Sequence, residues 1–175
     1  MITIRKERPP DAAAREVLLD EAFGPHRWRK SSQRLRDGHA PADGLAFVAT
    51  EGRRIVGTAR LWTITCGAGK RALLLGPVAV AADRRNRGVG AAMMRHAFSA
   101  ARRQGHRAII LVGDSAYYGR FGFSAEKTAA LRMPGPFERR RLLGLELMPG
   151  ALDGARGLLH AAGDPVPSST AASAA

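Results

Sequence analysis

Residues 73–90, LLLGPVAVAADRRNRGVG, join an apolar run to a polar turn and then to a helix that opens on two glycines. The run over 73–80 is short and rich in branched residues, which suits a strand buried on both faces of a sheet. Pro77 breaks its regularity. Proline cannot donate to a ladder, so the strand must bulge or lose a partner there, and such irregularities are often where a ligand meets a sheet. The helix that follows is predicted to run to about Gln104, with Gly105 as its stop. Val89, Ala92, Met93, Ala97, Ala100 and Ala101 face the sheet, while Arg95, Ser99, Arg102 and Arg103 face water. Glycines in the first turn leave backbone N–H groups unshielded, and these, the helix dipole and the neighbouring arginines favour a phosphate.

Three kinds of phosphate loop have this outline, and spacing separates them. A nucleotide-hydrolase loop ends in Gly-Lys-Ser/Thr, whereas Gly90 is followed by Ala91 and Ala92. A dinucleotide fold requires a third glycine where Met93 stands and an acidic residue about twenty positions on, which Asp114 matches loosely. The pattern Arg85-x-x-Gly88-x-Gly90 after a strand ending at Val80 instead resembles the acyl-CoA loop of the GNAT family of N-acetyltransferases. A second segment, Tyr118-Gly119-Arg120-Phe121-Gly122-Phe123, is similar to that family's tyrosine-to-Gly-Phe segment and follows a further predicted strand at Ala108–Val112. Two motifs in order, separated by a helix and a strand, are far more specific than either alone.

The resemblance covers about residues 2–147 and implies an α/β fold with a central mixed sheet of six to seven strands flanked by about four helices. It implies acetyl-CoA as the acyl donor and a primary amine as acceptor, attacking directly while both are held in one complex. The pantetheine arm is expected in a gap between the strand ending at Val80 and the strand Ala108–Val112, bonded to the backbone of Val78 and Val80. The pyrophosphate is expected on the N–H groups of Arg85, Asn86, Arg87, Gly88, Val89 and Gly90, with Arg85, Arg87 or both neutralising charge. Val80 N–H is the expected donor to the developing oxyanion, and Tyr118 the expected general acid. Tyr117 competes for that role if the short helix expected over 115–120 starts one residue differently. Where the family carries an asparagine-led helix, this chain has only Asp114-Ser115-Ala116. No general base is assigned: Glu51, Asp83, Glu126 and Glu138 each read as solvated carboxylates.

At 175 residues the chain is one domain of ordinary size. Its one cysteine, Cys66, excludes an intramolecular disulfide and a cysteine-based metal site, and no supporting His or Asp activates it as a nucleophile. The first residues lack the apolar stretch of a signal peptide and no run approaches bilayer length, so a cytoplasmic protein without membrane contact is expected. The net charge of +13 comes from 28 basic and 15 acidic side chains. Such a field attracts polyanions, including nucleic acid, the phosphorylated carrier and acidic substrates, yet no nucleic-acid module accompanies it. A non-catalytic acyl-CoA- or RNA-binding scaffold is the rival class, and a homodimer is a further partner the sequence admits.

Along the chain, Ile2–Lys6 reads as an edge strand and Asp11 as the cap of a helix over Ala12–Phe23. The least regular stretch, 24–44, carries five Arg or Lys against two Asp and one short helix near 32–36. In the resembled family this region lines the acceptor side. An amine that also bears negative charge is therefore expected, touching Arg27, Arg29 or Arg34. Strands follow over 45–51, 54–65 and 72–80, then near 130–133 and 141–147. A domain of 1–149 is expected to end there, with 150–175 a largely disordered tail of small and polar residues.

Overall fold

The computed structural model of the chain describes residues 1–167. Among the described residues there are eight strands, β1 (Ile2–Lys6), β2 (Ala46–Glu51), β3 (Arg54–Cys66), β4 (Lys70–Val80), β5 (Ala108–Val112), β6 (Leu131–Arg132), β7 (Leu142–Glu146) and β8 (Gly157–Ala161). Three α-helices accompany them: α1 (Ala12–Phe23), α2 (Val89–Arg103) and α3 (Ser115–Tyr118). The sheet runs β1-β2-β3-β4-β5-β7, antiparallel throughout except where β4 and β5 lie parallel across the α2 crossover. The α/β mixed sheet is as expected; its strands number one or more above six to seven, and its α-helices one below the expected four. The helix count falls because 24–44 forms two tight 3₁₀ turns, Arg27–Arg29 and Ser31–Leu35, rather than a full helix.

The extra strand corrects the domain boundary at 149. β3 has 13 residues and β2 only 6, so the far half of β3 lacks a neighbour on the β2 side. β8 fills that edge, antiparallel to β3 over residues 64–66, and also pairs parallel with β6. An unpaired inner edge would leave buried amides without acceptors, which is why the chain returns there. Ala151, Leu152, Ala155 and Leu159 are buried, so the expected loose tail is folded through β8, and Val166 N–H still donates to Gly38 O at 2.9 Å. The rest of that expected tail, 168–175, lies outside the described residues. Among the described residues no helix is long and apolar enough to cross a membrane.

Side-chain alternation along the strands divides the core in two. Leu61, Leu73, Leu75, Ile109 and Leu111 pack with Met93, Met94, Ala97 and Phe98 of α2, and Leu18 and Leu19 of α1 join them. Trp62, Ile64, Leu74 and Ile110 pack instead with Leu35, Leu131, Leu152 and Leu159. Leu73, Leu74 and Leu75 are all buried, as a strand covered on both faces requires. Asp11 does not cap α1 with its side chain. Its carboxylate accepts from Arg8 N–H at 2.7 Å and from both Arg5 terminal nitrogens, which ties the end of β1 to the start of α1.

Candidate active site

β4 and β5 pair at only two positions, Leu73 with Ile109 and Leu74 with Ile110. Beyond them β4 follows β3 while β5 follows β7, and the sheet splits. The split coincides with the proline. Opposite Arg60 of β3, β4 carries the two residues Gly76 and Pro77, a bulge over which Trp62 Nε1 donates to Gly76 O at 2.6 Å. A cavity of about 640 Å³ opens there, walled on one side by Leu75, Pro77 and Val78 and on the other by Leu111, Val112 and Tyr118.

The backbone of β4 faces this gap in a defined way. Ala81 N–H bonds back to Val56 O of β3 at 2.8 Å, and strand alternation then points the N–H and C=O of Val80 the other way. Arg85 Nε, donating to Val80 O at 3.3 Å, lies on that outer side. The register 78–80 against 57–59 is regular, so Val78 shares the orientation of Val80. Both residues sequence reasoning assigned on β4 therefore turn their amides to the gap.

At the far end of the gap the chain turns from β4 into α2. Asn86 and Gly88 take left-handed backbone conformations, φ 59° and 77°, which turn the chain within a few residues. The first intrahelical bond runs from Ala92 N–H to Gly88 O, so the amides just before Ala92 have no acceptor inside the helix, and no side chain caps them. Gly90 completes the cradle. A Cβ there would lie 3.3 Å from Tyr117 Oη and 3.6 Å from Val80 Cγ2, so its absence keeps the space between them open. Arg85, Asn86, Arg87 and Gly88 are exposed, Val89 is buried, and Gly90 is half-buried. Val78 and Tyr118 wall the cavity, whereas the turn over 85–90 stands outside it, at the open end of the split.

The two tyrosines part company. Tyr117 reaches the start of α2, while Tyr118 lines the cavity beside Gly113 and Asp114, their rings edge to face at 5.0 Å. Asp114 caps α3, accepting Ala116 N–H at 2.9 Å, and this one-turn start fixes which tyrosine points where. Gly113 makes room for the Tyr118 ring. Burial holds the Tyr118 hydroxyl above its ordinary pKa, with Tyr117 and Asp114 adding to the rise and Arg141 opposing it, so it is protonated at neutral pH. Of the four carboxylates weighed as bases, Glu138 alone reaches the cavity wall. Glu51 pairs with Arg84, and Asp83 with Arg54 and Arg84.

The basic 24–44 segment closes the acceptor side, and of the three arginines expected there Arg27 reaches the cavity wall while Arg29 and Arg34 do not. Arg27 is locked to Glu16 and to Asp20 at 2.8 Å and stacks on Trp28; Arg34 donates to Pro134 O at 2.6 Å; Arg29 is exposed outside the cavity. Lys30 and Arg36 line the cavity beside Arg27, joined by Arg141 from the turn just before β7. Sequence reasoning missed Arg36 because its burial depends on Gly76, forty positions away, over which its guanidinium lies.

Comparison with known proteins agrees with this geometry. Residues 42–125 match the acetyltransferase (GNAT) domain, a span that includes β2 to α3 and both motifs. The N-acetyltransferase YhbS of Escherichia coli (strain K12) is 28% identical over 157 residues, covering 90% of this chain and 94% of that protein. The crystal structure of YhbS from Escherichia coli in complex with CoA matches with a TM-score of 0.78 at 27% identity, covering 92% and 89% of the two chains. A GNAT family acetyltransferase from Brucella melitensis, in complex with acetyl-CoA, matches at 30% identity and a TM-score of 0.62, covering 83% of this chain and 96% of that one. With the split sheet, the glycine-opened helix and this similarity over nearly the whole of a relative, the chain belongs to the GNAT family of acetyltransferases.

Proposed function

We propose that this acetyltransferase moves the acetyl group of acetyl-CoA to a primary amine by direct attack in a ternary complex, with Tyr118 as general acid. The observation that carries the proposal is the split between β4 and β5, which exposes outward-turned strand amides on one wall and a half-buried, protonated tyrosine on the other. The residues present fit the carrier: an uncapped helix start, a gap beside Gly90 that any side chain would narrow, and an arginine pair on the exposed turn.

Acetyl-CoA, when bound, supplies a thioester whose carbonyl carbon is the electrophile. The amides at the turn over 85–90 grip the diphosphate, and Arg85 and Arg87 offset its charge from the solvent side. Val78 and Val80 hold the arm as an added strand would be held, and Val80 N–H is the donor available to the carbonyl oxygen. Holding both reactants in one cavity supplies much of the rate. As the nitrogen–carbon bond forms and the carbon–sulfur bond breaks, Tyr118 Oη, protonated at neutral pH, donates its proton to the departing sulfur, and the proton released by the acylated nitrogen passes to water and restores the phenol. The acceptor enters past the 24–44 segment, whose cavity-facing cations favour an acidic molecule.

Tyr118→Phe tests this reading. Turnover should fall by about 10²-fold or more, the usual contribution of a positioned acid, while acetyl-CoA binding by calorimetry stays intact. Equal turnover would transfer the role to Tyr117 or solvent, and an absence of acetyl-CoA binding in the wild type would end the proposal.

A further inference from the structure

Arg36 presents a chemical problem that the fold itself leaves unsolved. Its side chain is buried, 8% exposed, and its Nε and Nη2 donate to Gln33 Oε1 at 3.3 and 3.1 Å. A guanidinium has five N–H donors, so the remainder, Nη1 among them, have no protein acceptor among the described residues. No carboxylate lies within ion-pair distance of it, nor of Lys30 or Arg141 on the same cavity wall, among the described residues, whereas Arg27, the fourth cation there, is paired with Glu16 and Asp20. Burial pushes the Arg36 guanidinium down to about 10, with Arg27 and Arg60 adding to the fall against Asp37. Burial also lowers Lys30, and Arg36 and Arg141 lower it further.

The two carboxylates that share the cavity do not answer this charge. Asp114 is turned to Ala116 N–H, and Glu138 to Arg140 at 3.1 Å. No unbonded Arg36 nitrogen is sealed off, so its free donors open onto the cavity, and a largely buried charge without a counter-ion gains when a ligand brings the missing partner. Arg36 Nη1 lies 3.6 Å from where a Cβ on Gly76 would stand, so its free donors sit at the bulge where the sheet splits. A planar fork of N–H groups suits a planar carboxylate, and Phe23, Leu75, Pro77 and Phe137 offer apolar wall to a short aliphatic spacer.

We propose that the acceptor is a small aminocarboxylic acid, its carboxylate received by Arg36 and Lys30 while its amine is presented at the split between β4 and β5. This assignment rests on the acetyl-transfer reading and names the substrate class for that site.

Linear ω-amino acids of increasing length, the matching n-alkylamines and the matching aminoalkylphosphonates test it, assayed with acetyl-CoA on the wild type, Arg36→Gln and Arg36→Lys. The expected result is a wild-type preference for an aminocarboxylate over its alkylamine of at least about tenfold in kcat/KM, the scale of one charge-assisted hydrogen bond. Arg36→Gln should remove most of that preference, by raising the KM of the aminocarboxylate, and Arg36→Lys should retain an intermediate share because it keeps the charge without the fork. Equal kcat/KM for aminocarboxylate and alkylamine, or equal losses for both in Arg36→Gln, would overturn the seat while leaving acetyl transfer standing. Preference for the phosphonate would overturn the carboxylate assignment. Calorimetry of the same compounds with the CoA-bound protein separates the remaining case: Arg36-dependent aminocarboxylate binding without acetylation supports the seat and refutes the transferase reading. Should Arg36→Gln fail to fold, Arg36→Lys and Lys30→Gln carry the same comparison.

Discussion

Gly113 sets the position of the proposed acid, and Gly113→Ala is the most direct way to move that acid without touching it. A Cβ built on Gly113 would lie 2.4 Å from Tyr118 Cε2, 2.9 Å from Cδ2 and 3.1 Å from Leu111 Cδ1. Nonbonded carbons rest about 3.5–4.0 Å apart, so the Tyr118 ring must retreat by about 1 Å. It has little room to do so, with Tyr117 edge-on at 5.0 Å and Phe123 at 6.0 Å. Overpacking of this kind costs about 1–3 kcal/mol, and a misplacement of about 1 Å in a reacting group costs roughly 10²-fold in rate. The expected outcome is a kcat reduced by about 10²-fold, a KM for acetyl-CoA close to wild type, and a melting temperature lowered by about 2–4 °C per kcal/mol for a domain of this size. The decisive measurement is the cycle with Tyr118→Phe. If Gly113 acts through the ring's hydroxyl, the double variant should turn over no more slowly than Tyr118→Phe alone. A full additional loss in that background, or an undiminished kcat in Gly113→Ala, would refute the argument.

Two further variants test the frame around the site. Leu159→Ala removes a fully buried side chain from β8 and should cost about 2–5 kcal/mol in denaturant unfolding; a midpoint equal to wild type would show that β8 adds nothing to the core. Asp11 is held at about 2 against an ordinary 3.8, chiefly by its bond from Arg5. Because the folded carboxyl is the stronger acid, its stabilisation is complete above 3.8 and is lost as the pH falls through about 2, the unfolded chain taking up the proton first. Asp11→Asn should therefore flatten the pH dependence of unfolding free energy across that window, and identical slopes for variant and wild type would contradict the assigned pair.

Features fixed by a few neighbouring residues were legible in the sequence. Pro77 in an apolar run demands a bulge or a lost partner wherever the strand lies, and Gly88 and Gly90 permit only a few backbone paths into a helix. Each resolves locally, which is why the bulge at Pro77 and the glycine-opened turn into α2 fall where the pattern puts them. The fate of residues 150–167 was not legible in the same way. Their small and polar composition gives a weak apolar signal, whereas the force that folds them is the unpaired backbone edge of β3, and backbone pairing reads the same from almost any side chain. The one signal that announces it is the length mismatch between the strands expected over 54–65 and 45–51, which leaves the far end of the longer one without a partner.

The acceptor side shows the same limit in electrostatic form. Arginines over 24–44 are equivalent by composition, yet the fold gives each a different task. Arg27 meets Glu16 and Asp20 one helix back, where the spacing on α1 sets two carboxylates on its path, and so serves to anchor the segment. Arg36, nine positions later, meets only a glutamine amide oxygen and the bare backbone of Gly76. Charge that the protein neutralises for itself holds structure together; charge that it buries and leaves without a counter-ion is available to a ligand. That distinction depends on where carboxylates from distant parts of the chain come to rest, and it is the reason the acceptor's anionic group is assigned to Arg36 rather than to the arginines around it.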